Sequence, residues 1–476
     1  MLHQLILIVV FLQTGTLETQ HVMDGRFEDW QGPVVASGAE GGLIQGLRIA
    51  DDPHFVYVQL DFQQAATLQG LDREVRIELD LDGNDRTGTT GTEGMPGVDA
   101  VVLFSPRDDD GSIKSGSALI GANRVRITRT TTDALGVVAM PTHGSDRFEI
   151  RFDRSPAFRG DDFDVQVLTV APGGERQACP VVNHDFESRQ ARKALPVQRD
   201  PAEESAGIRV TSWNGERGAL FENPNAFART FEAIKPDLVL LQELPAGINP
   251  GKLNQWFGRL QGDKTWNALS SGGSLPVAVV SSHPLEAVPE LAKITGIDPR
   301  GSKRMVRAVG GLATIDGRKV LVVSLHLKCC GRLGSSEDQK RRAEVDAIHE
   351  AMLTVVERLK PDHVVVGGDF NLVGTETVLR RLCEGLSPDG ADLVVAEPIR
   401  PAGDATTSWE KPGQAFVPGR LDFILVGGAG SLENAVVVDP VQMGDRWRRK
   451  HGIPIEAPSD HLAISVDIET KTKPRS

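Results

Sequence analysis

The chain has 476 residues, 40% of them apolar and 25% charged, which is the composition of a globular protein longer than one ordinary domain. Its net charge of −13 is uneven: residues 1–205 carry 32 acidic against 19 basic side chains, and the remainder is balanced. An acidic chain argues against a polyanionic substrate, but here the acid belongs to the N-terminal half alone.

The opening residues MLHQLILIVVFLQTGTLETQ pattern an export signal. An apolar stretch (5–12) follows His3 and gives way to small and polar residues. Residues 1–20 are therefore read as a signal peptide and the chain as secreted or periplasmic. No later segment approaches the ~20 apolar residues that span a bilayer. Of the four cysteines, Cys329 and Cys330 are adjacent and no C-x-x-C spacing occurs, which gives neither a disulfide scaffold nor a zinc knuckle.

Residues 22–175 read as an antiparallel β-sandwich. Apolar alternation runs through FVYVQLDF (55–62), VRIELDLD (75–82), VDAVVLF (98–104) and RFEIRFD (147–153), with turn residues between. The stretches DGRFEDW (24–30) and DLDGNDRTG (80–88) resemble sandwich domains related to family 9 carbohydrate-binding modules, a likeness that implies a glycan ligand. In the second stretch, Asp80, Asp82 and Asn84 offer clustered oxygens to calcium, although the spacing departs from the EF-hand; a solvated D-G hairpin is the competing reading. Residues 176–206 turn polar and non-periodic, as a linker does.

From 207 to 470, strands alternate with helices. Strand patterns fall at 208–213, 237–243, 276–282, 318–327, 363–370, 421–426 and 462–468. A helical pattern covers 337–360, with Ser336 and Gln339 as a capping box and Val345, Ile348, Met352, Val355 and Leu359 as its buried stripe. Strands this apolar need cover, which calls for layered α/β packing.

Polar residues collect where these strands end: Asn214, Glu243, His326, Asp369 with Asn371, Asp422, and Asp460 with His461. Singly, each has an ordinary explanation as a turn or cap; strand ends at a rigid sheet edge are also where α/β folds build sites. The ordered set TSWN (211–214), LLQE (240–243), SLHL (324–327), GGDFN (367–371), RLDFIL (420–425) and PSDH (458–461) resembles the endonuclease/exonuclease/phosphatase superfamily, which includes deoxyribonuclease I, neutral sphingomyelinases and inositol polyphosphate phosphatases.

The resemblance covers about 260 residues and implies a four-layer α/β sandwich, two mixed sheets face to face between helices. It also implies a metal-dependent hydrolase of phosphate esters. Glu243 would be the main ligand of Mg²⁺ or Mn²⁺, with Asn214 and Asp460 nearby. Asp369 would activate water, Asn371 would donate to a phosphate oxygen, and His461, oriented by Asp422, would contact the scissile phosphate. His326 would be a second phosphate-contacting or acid group. The abasic-site repair branch has tyrosine at its place; histidine there points to the nuclease, sphingomyelinase and phosphoinositide branches.

Two basic runs offer further contacts. Lys328 and Arg332 follow the His326 strand, and Trp447 and Arg448 lie in RWRRK (446–450), read as a loop before Asp460 that could stack a base and hold its backbone phosphate. A nuclease-type phosphodiesterase acting on nucleic acid is the first expectation, a sphingomyelinase- or inositol-phosphatase-like hydrolase the second, and an inactive surface-binding protein the third.

Overall fold

The computed structural model describes residues 21–122, 127–187, 191–192, 195, 197–203, 207–260, 264–297 and 301–469; the candidate signal peptide, 1–20, lies outside the described residues. No helix among them is long and apolar enough to cross a membrane.

The N-terminal half stacks two antiparallel sheets. One has four strands in the order Ile44–Asp51, Phe55–Ala66, Ser145–Asp153, Val138–Met140. In the other, Glu74–Asp80 and Ala100–Phe104 are central, and Asp162–Val170 pairs with Glu74–Asp80. Alternating side chains put Val58, Leu60, Ile77, Val102, Ile150 and Val165 between the sheets, all at 0% exposure, which is what makes the strand pattern visible in the sequence. The sandwich runs further than the sequence suggested. Arg176–Ala178 and Val182–Asp185, inside the expected linker, both pair with Asp162–Val170. These strands are short and half exposed, so they carry little apolar signal.

The C-terminal half is a four-layer α/β sandwich. One six-stranded sheet has Ile208–Asn214 at its centre, parallel to Leu238–Gln242 and antiparallel to Ala463–Glu469. The other centres on Arg318–His326 and His363–Asp369, which run parallel, with Asp422–Gly428 antiparallel beside them. Val210, Leu240, Val279, Val322, Val365 and Ile464 fill the space between the sheets. The outer faces are covered by helices Ser336–Leu359 and Thr377–Cys383 on one side, and by Pro224–Ile234, Pro250–Phe257 and Pro440–His451 on the other.

The long helix, Ser336–Leu359, is capped one residue earlier than expected. Ser335, not Ser336, accepts the Asp338 amide (3.2 Å), and the Asp338 carboxylate accepts the Gly334 amide (3.0 Å). The reciprocal bond reaches the amide before the cap residue, so the arrangement is a variant of the capping box with aspartate where glutamate or glutamine is sought.

The halves share a core. Val417, from the C-terminal half, is 2% exposed among the apolar residues of the N-terminal sandwich. Arg151 of the sandwich forms a buried ion pair with Asp404 (2.6 Å). Backbone bonds also cross between them, from Met23 to Asp404 and from Gly144 to Gly374.

Candidate active site

Strand register assembles the site. His326 lies opposite Asp369, and Asp369 opposite Asp422, so three adjacent strands end side by side. On the facing sheet Asn214 lies opposite Gln242, one residue before Glu243. The glycines before Asp369 allow this convergence. A Cβ on Gly367 would sit 2.7 Å from the Leu240 side chain of the facing sheet, and one on Gly368 (φ +145) would sit 1.9 Å from the Leu325 carbonyl. Glu243 and Asn371 take left-handed backbone (φ +53 and +47), a conformation asparagine tolerates and glutamate rarely adopts.

Asp369 is the hub. Its Oδ2 accepts from the side-chain amides of Asn214 (3.0 Å) and Asn371 (2.9 Å), and its Oδ1 from the Asn371 backbone (2.9 Å). His326 Nε2 lies 3.5 Å from Asp369 and 3.7 Å from Glu243. His461 donates from Nδ1 to Asp422 (2.8 Å), which leaves its Nε2 3.8 Å from Asp369. Asp422 is held in turn by the Ser408 hydroxyl (2.7 Å).

Packing charge this tightly moves proton affinities. Burial, with repulsion from Asp422 and Glu243, pushes Asp369 up to about 7 against the pull of His461. Burial alone would lower His461, but Asp422 and Asp369 outweigh it and raise the imidazole to about 10. Burial also holds His326 well below the ordinary histidine range, helped by the charges of Arg307, His461 and Lys328.

Glu243, His326 and Asp369 offer three ligand atoms within 4.8 Å of one another. The facing carboxylates of Glu243 and Asp369 offer the oxygen ligands that a hard divalent cation takes, with the His326 ring beside them. The other expected ligands lie in the same site, Asp460 lining the cleft and Asn214 bonded to Asp369. Asp460 pairs with Lys411 (3.1 Å), and the Asn214 carbonyl oxygen accepts the Glu216 amide (3.0 Å). The Asn371 side-chain amide donates to Leu327 O (3.2 Å) and Asp369 (2.9 Å), so it braces the hub.

The expected substrate contacts divide. Arg332 lines the cleft but donates to the Gly70 carbonyl of the sandwich (3.0 Å). The Lys328 amine lies 3.6 Å from the Cys329 thiol. Trp447 and Arg448 are not in a loop. They belong to helix Pro440–His451, where Trp447 is 7% exposed, packs in the outer core and donates to Asp200 (2.8 Å), while Arg448 bonds the Pro440 carbonyl (3.1 Å). Neither lines the cleft. Residues missed in the sequence include Glu216 and Lys411, which form an ion pair (2.5 Å) at the cleft, and Ser408 behind Asp422. They sit in irregular backbone, where no periodicity marks them.

The sequence model described as Endonuclease/Exonuclease/phosphatase family matches residues 211–461. The chain belongs to that family. The match runs from the strand carrying Asn214 to His461 itself, so it embraces the whole constellation and makes the protein a phosphate-ester hydrolase. No curated protein matches the chain. Among solved structures it is similar to the human Nocturnin catalytic domain with bound sulfate (18% identity, TM-score 0.40, covering 58% of this chain and 96% of that one). It is also similar to an endonuclease/exonuclease/phosphatase family protein from Leptotrichia buccalis (16%, TM-score 0.37, 56% and 100%) and to beta toxin from Staphylococcus aureus (16%, TM-score 0.34, 55% and 100%).

The acidic loop of the sandwich has its own cluster. Asp80 is fully buried; its Oδ1 accepts the Asp82 and Asn84 amides (3.2 and 3.3 Å), and its Oδ2 has no partner. Asp80, Asp82 and Asp99 bring ligand atoms within 4.8 Å, and burial lifts Asp80 to about 6. The Asn84 side chain turns instead to the Arg86 amide (3.1 Å).

Proposed function

We propose that the protein is a divalent-metal-dependent phosphodiesterase. The observation that carries this reading is the meeting of Glu243, His326, Asp369 and the Asp422–His461 pair at one end of the two facing sheets. Glu243 would be the principal ligand of magnesium or manganese, with Asp369 and His326 in ligand reach. When bound, the cation neutralises charge on the phosphoryl oxygens.

The chain's own groups do the rest. Asp369, braced by Asn214 and Asn371, orients the attacking water. His461 presents Nε2 to the scissile phosphate, and Asp422 fixes its tautomer and keeps it cationic, so the imidazole stabilises charge and supplies a proton to the departing oxygen. His326, neutral and buried, contacts the phosphate from the other side.

Purified protein with magnesium or manganese is expected to hydrolyse bis-p-nitrophenyl phosphate, and EDTA to abolish turnover. Glu243→Gln should lower the rate by about 10²–10⁴-fold with the fold intact by circular dichroism. Turnover that persists in EDTA overturns the reading.

A further inference from the structure

The cleft over the catalytic groups is not made by the hydrolase half alone. It has a volume of about 780 Å³, and Thr67, Leu68, Gln69, Ser115, Pro141 and Thr142 of the N-terminal sandwich line it together with Glu243, Asp369 and His461. This wall is clamped on both sides. On one side Arg332 donates to the Gly70 carbonyl (3.0 Å) and the Leu333 amide to Thr67 Oγ1 (3.0 Å). On the other, Val417 N donates to Gln69 Oε1 (3.0 Å), Arg420 N to Thr142 Oγ1 (2.8 Å) and Ser117 N to the Ala415 carbonyl. With Val417 buried in the sandwich core, the wall is a fixed part of the cleft.

We infer that this wall is a leaving-group pocket and that the substrate is a compact phosphate ester of about nucleotide size, rather than an internal linkage of a nucleic-acid duplex. The inference rests on the phosphate-ester reading above. Three observations carry it. The volume falls within the ~300–1,000 Å³ of small-molecule sites. The cleft is charged at the catalytic end and uncharged along the wall, where Leu68 and Pro141 face the same space as half-buried Trp409 and Phe416, the latter 44% exposed. Such a pocket takes a phosphate joined to a planar or apolar group.

The third observation is charge. In the sequence, the acidic excess belongs to the half without the catalytic residues, and so bears little on the substrate. The fold brings that half against the cleft, and the sandwich residues that line it include no lysine or arginine. A wall without cations gives a long polyanion no hold, whereas duplex-binding faces are strongly basic.

The test compares three probes with the full-length protein and manganese: bis-p-nitrophenyl phosphate, thymidine 5′-monophosphate p-nitrophenyl ester, and supercoiled plasmid. The expected result is turnover of both small esters and no nicking of the plasmid. Ser115→Trp, at an exposed position of the wall, and Phe416→Ala should each raise KM for the thymidine ester by about tenfold, with kcat less affected. Plasmid nicked as readily as the thymidine ester is turned over, or wall variants with unchanged KM, would overturn the pocket and leave the phosphodiesterase standing. Failure of all three probes in magnesium and manganese would overturn both.

Discussion

Both halves of the molecule stack two sheets around an apolar core, and both bury charge, but they do so differently. In the sandwich, buried charge is mostly paired: Glu74 and Glu78 both take Arg76, and Asp51 takes Arg154 (3.2 Å) and His184 (2.9 Å). In the hydrolase half, Glu243, Asp369 and Asp422 crowd one sheet end with two histidines, and among the described contacts no arginine or lysine side chain pairs with any of the three carboxylates. Paired burial is what a stable fold does with charge; unpaired crowding costs stability and persists where it serves binding or chemistry. Asp80 and Glu149 depart from this in the sandwich: Asp80 is buried with one oxygen unpartnered, and buried Glu149 accepts from the Asp24 and Gly25 amides and the Trp30 indole.

The sharpest way to break that contrast is to disarm the Asp422–His461 pair. His461→Ala should cut hydrolysis of bis-p-nitrophenyl phosphate by about 10³-fold and Asp422→Asn by about 10²-fold, both measured as kcat. The pH profile separates the two roles of Asp422. In the native protein His461 is cationic up to about 10, so loss of its proton does not limit activity at neutral pH. Removing the Asp422 charge takes away the largest influence raising that value, so the alkaline limb should fall toward the ordinary 6.5. An Asp422→Asn profile parallel to the native one would mean that the aspartate does not set the charge of His461.

How much of this could be read from sequence follows from the same contrast. The catalytic positions were visible because polar residues punctuate apolar strands: Asn214 after IRVTSW, Glu243 after LVLLQ, Asp369 after VVVGG. Their mutual distances were not, because the register of His326 with Asp369 and of Asp369 with Asp422 is a long-range choice. Nor could local pattern reveal that Ser115 and Thr142 line a cleft built mainly by residues beyond Glu216, since nothing in their neighbourhoods marks them. The RWRRK run misled because helix Pro440–His451 is interrupted at Gly444 (φ +73), so its turn-like residues outweigh a short amphipathic pattern.

A smaller effect tests whether the two halves are one unit. Asp404→Ala leaves Arg151 buried without its partner, and loss of one member of such a pair costs about 3–5 kcal/mol. Because the pair and Val417 tie the sandwich to the hydrolase half, thermal unfolding should remain a single transition at a lower Tm. Two separated transitions in the native protein would show instead that the sandwich is an independent module and that its contribution to the cleft is weakly held.

The smallest expected effect concerns Arg448, where the basic-run expectation and the structure disagree outright. Its guanidinium is occupied by the Pro440 carbonyl and Asp445, both on its own helix, and the residue does not line the cleft. Arg448→Ala should therefore change kcat/KM for the thymidine ester by no more than about twofold, the scale of a substitution away from any special contact. A tenfold rise in KM would mean that substrate reaches over the helix Pro440–His451, which a substrate confined to the walled cleft cannot do. Arg448 and Ser115 thus form a pair of opposite expectation: one is basic and conspicuous in the sequence yet outside the cleft, the other is neutral, unmarked and on its wall.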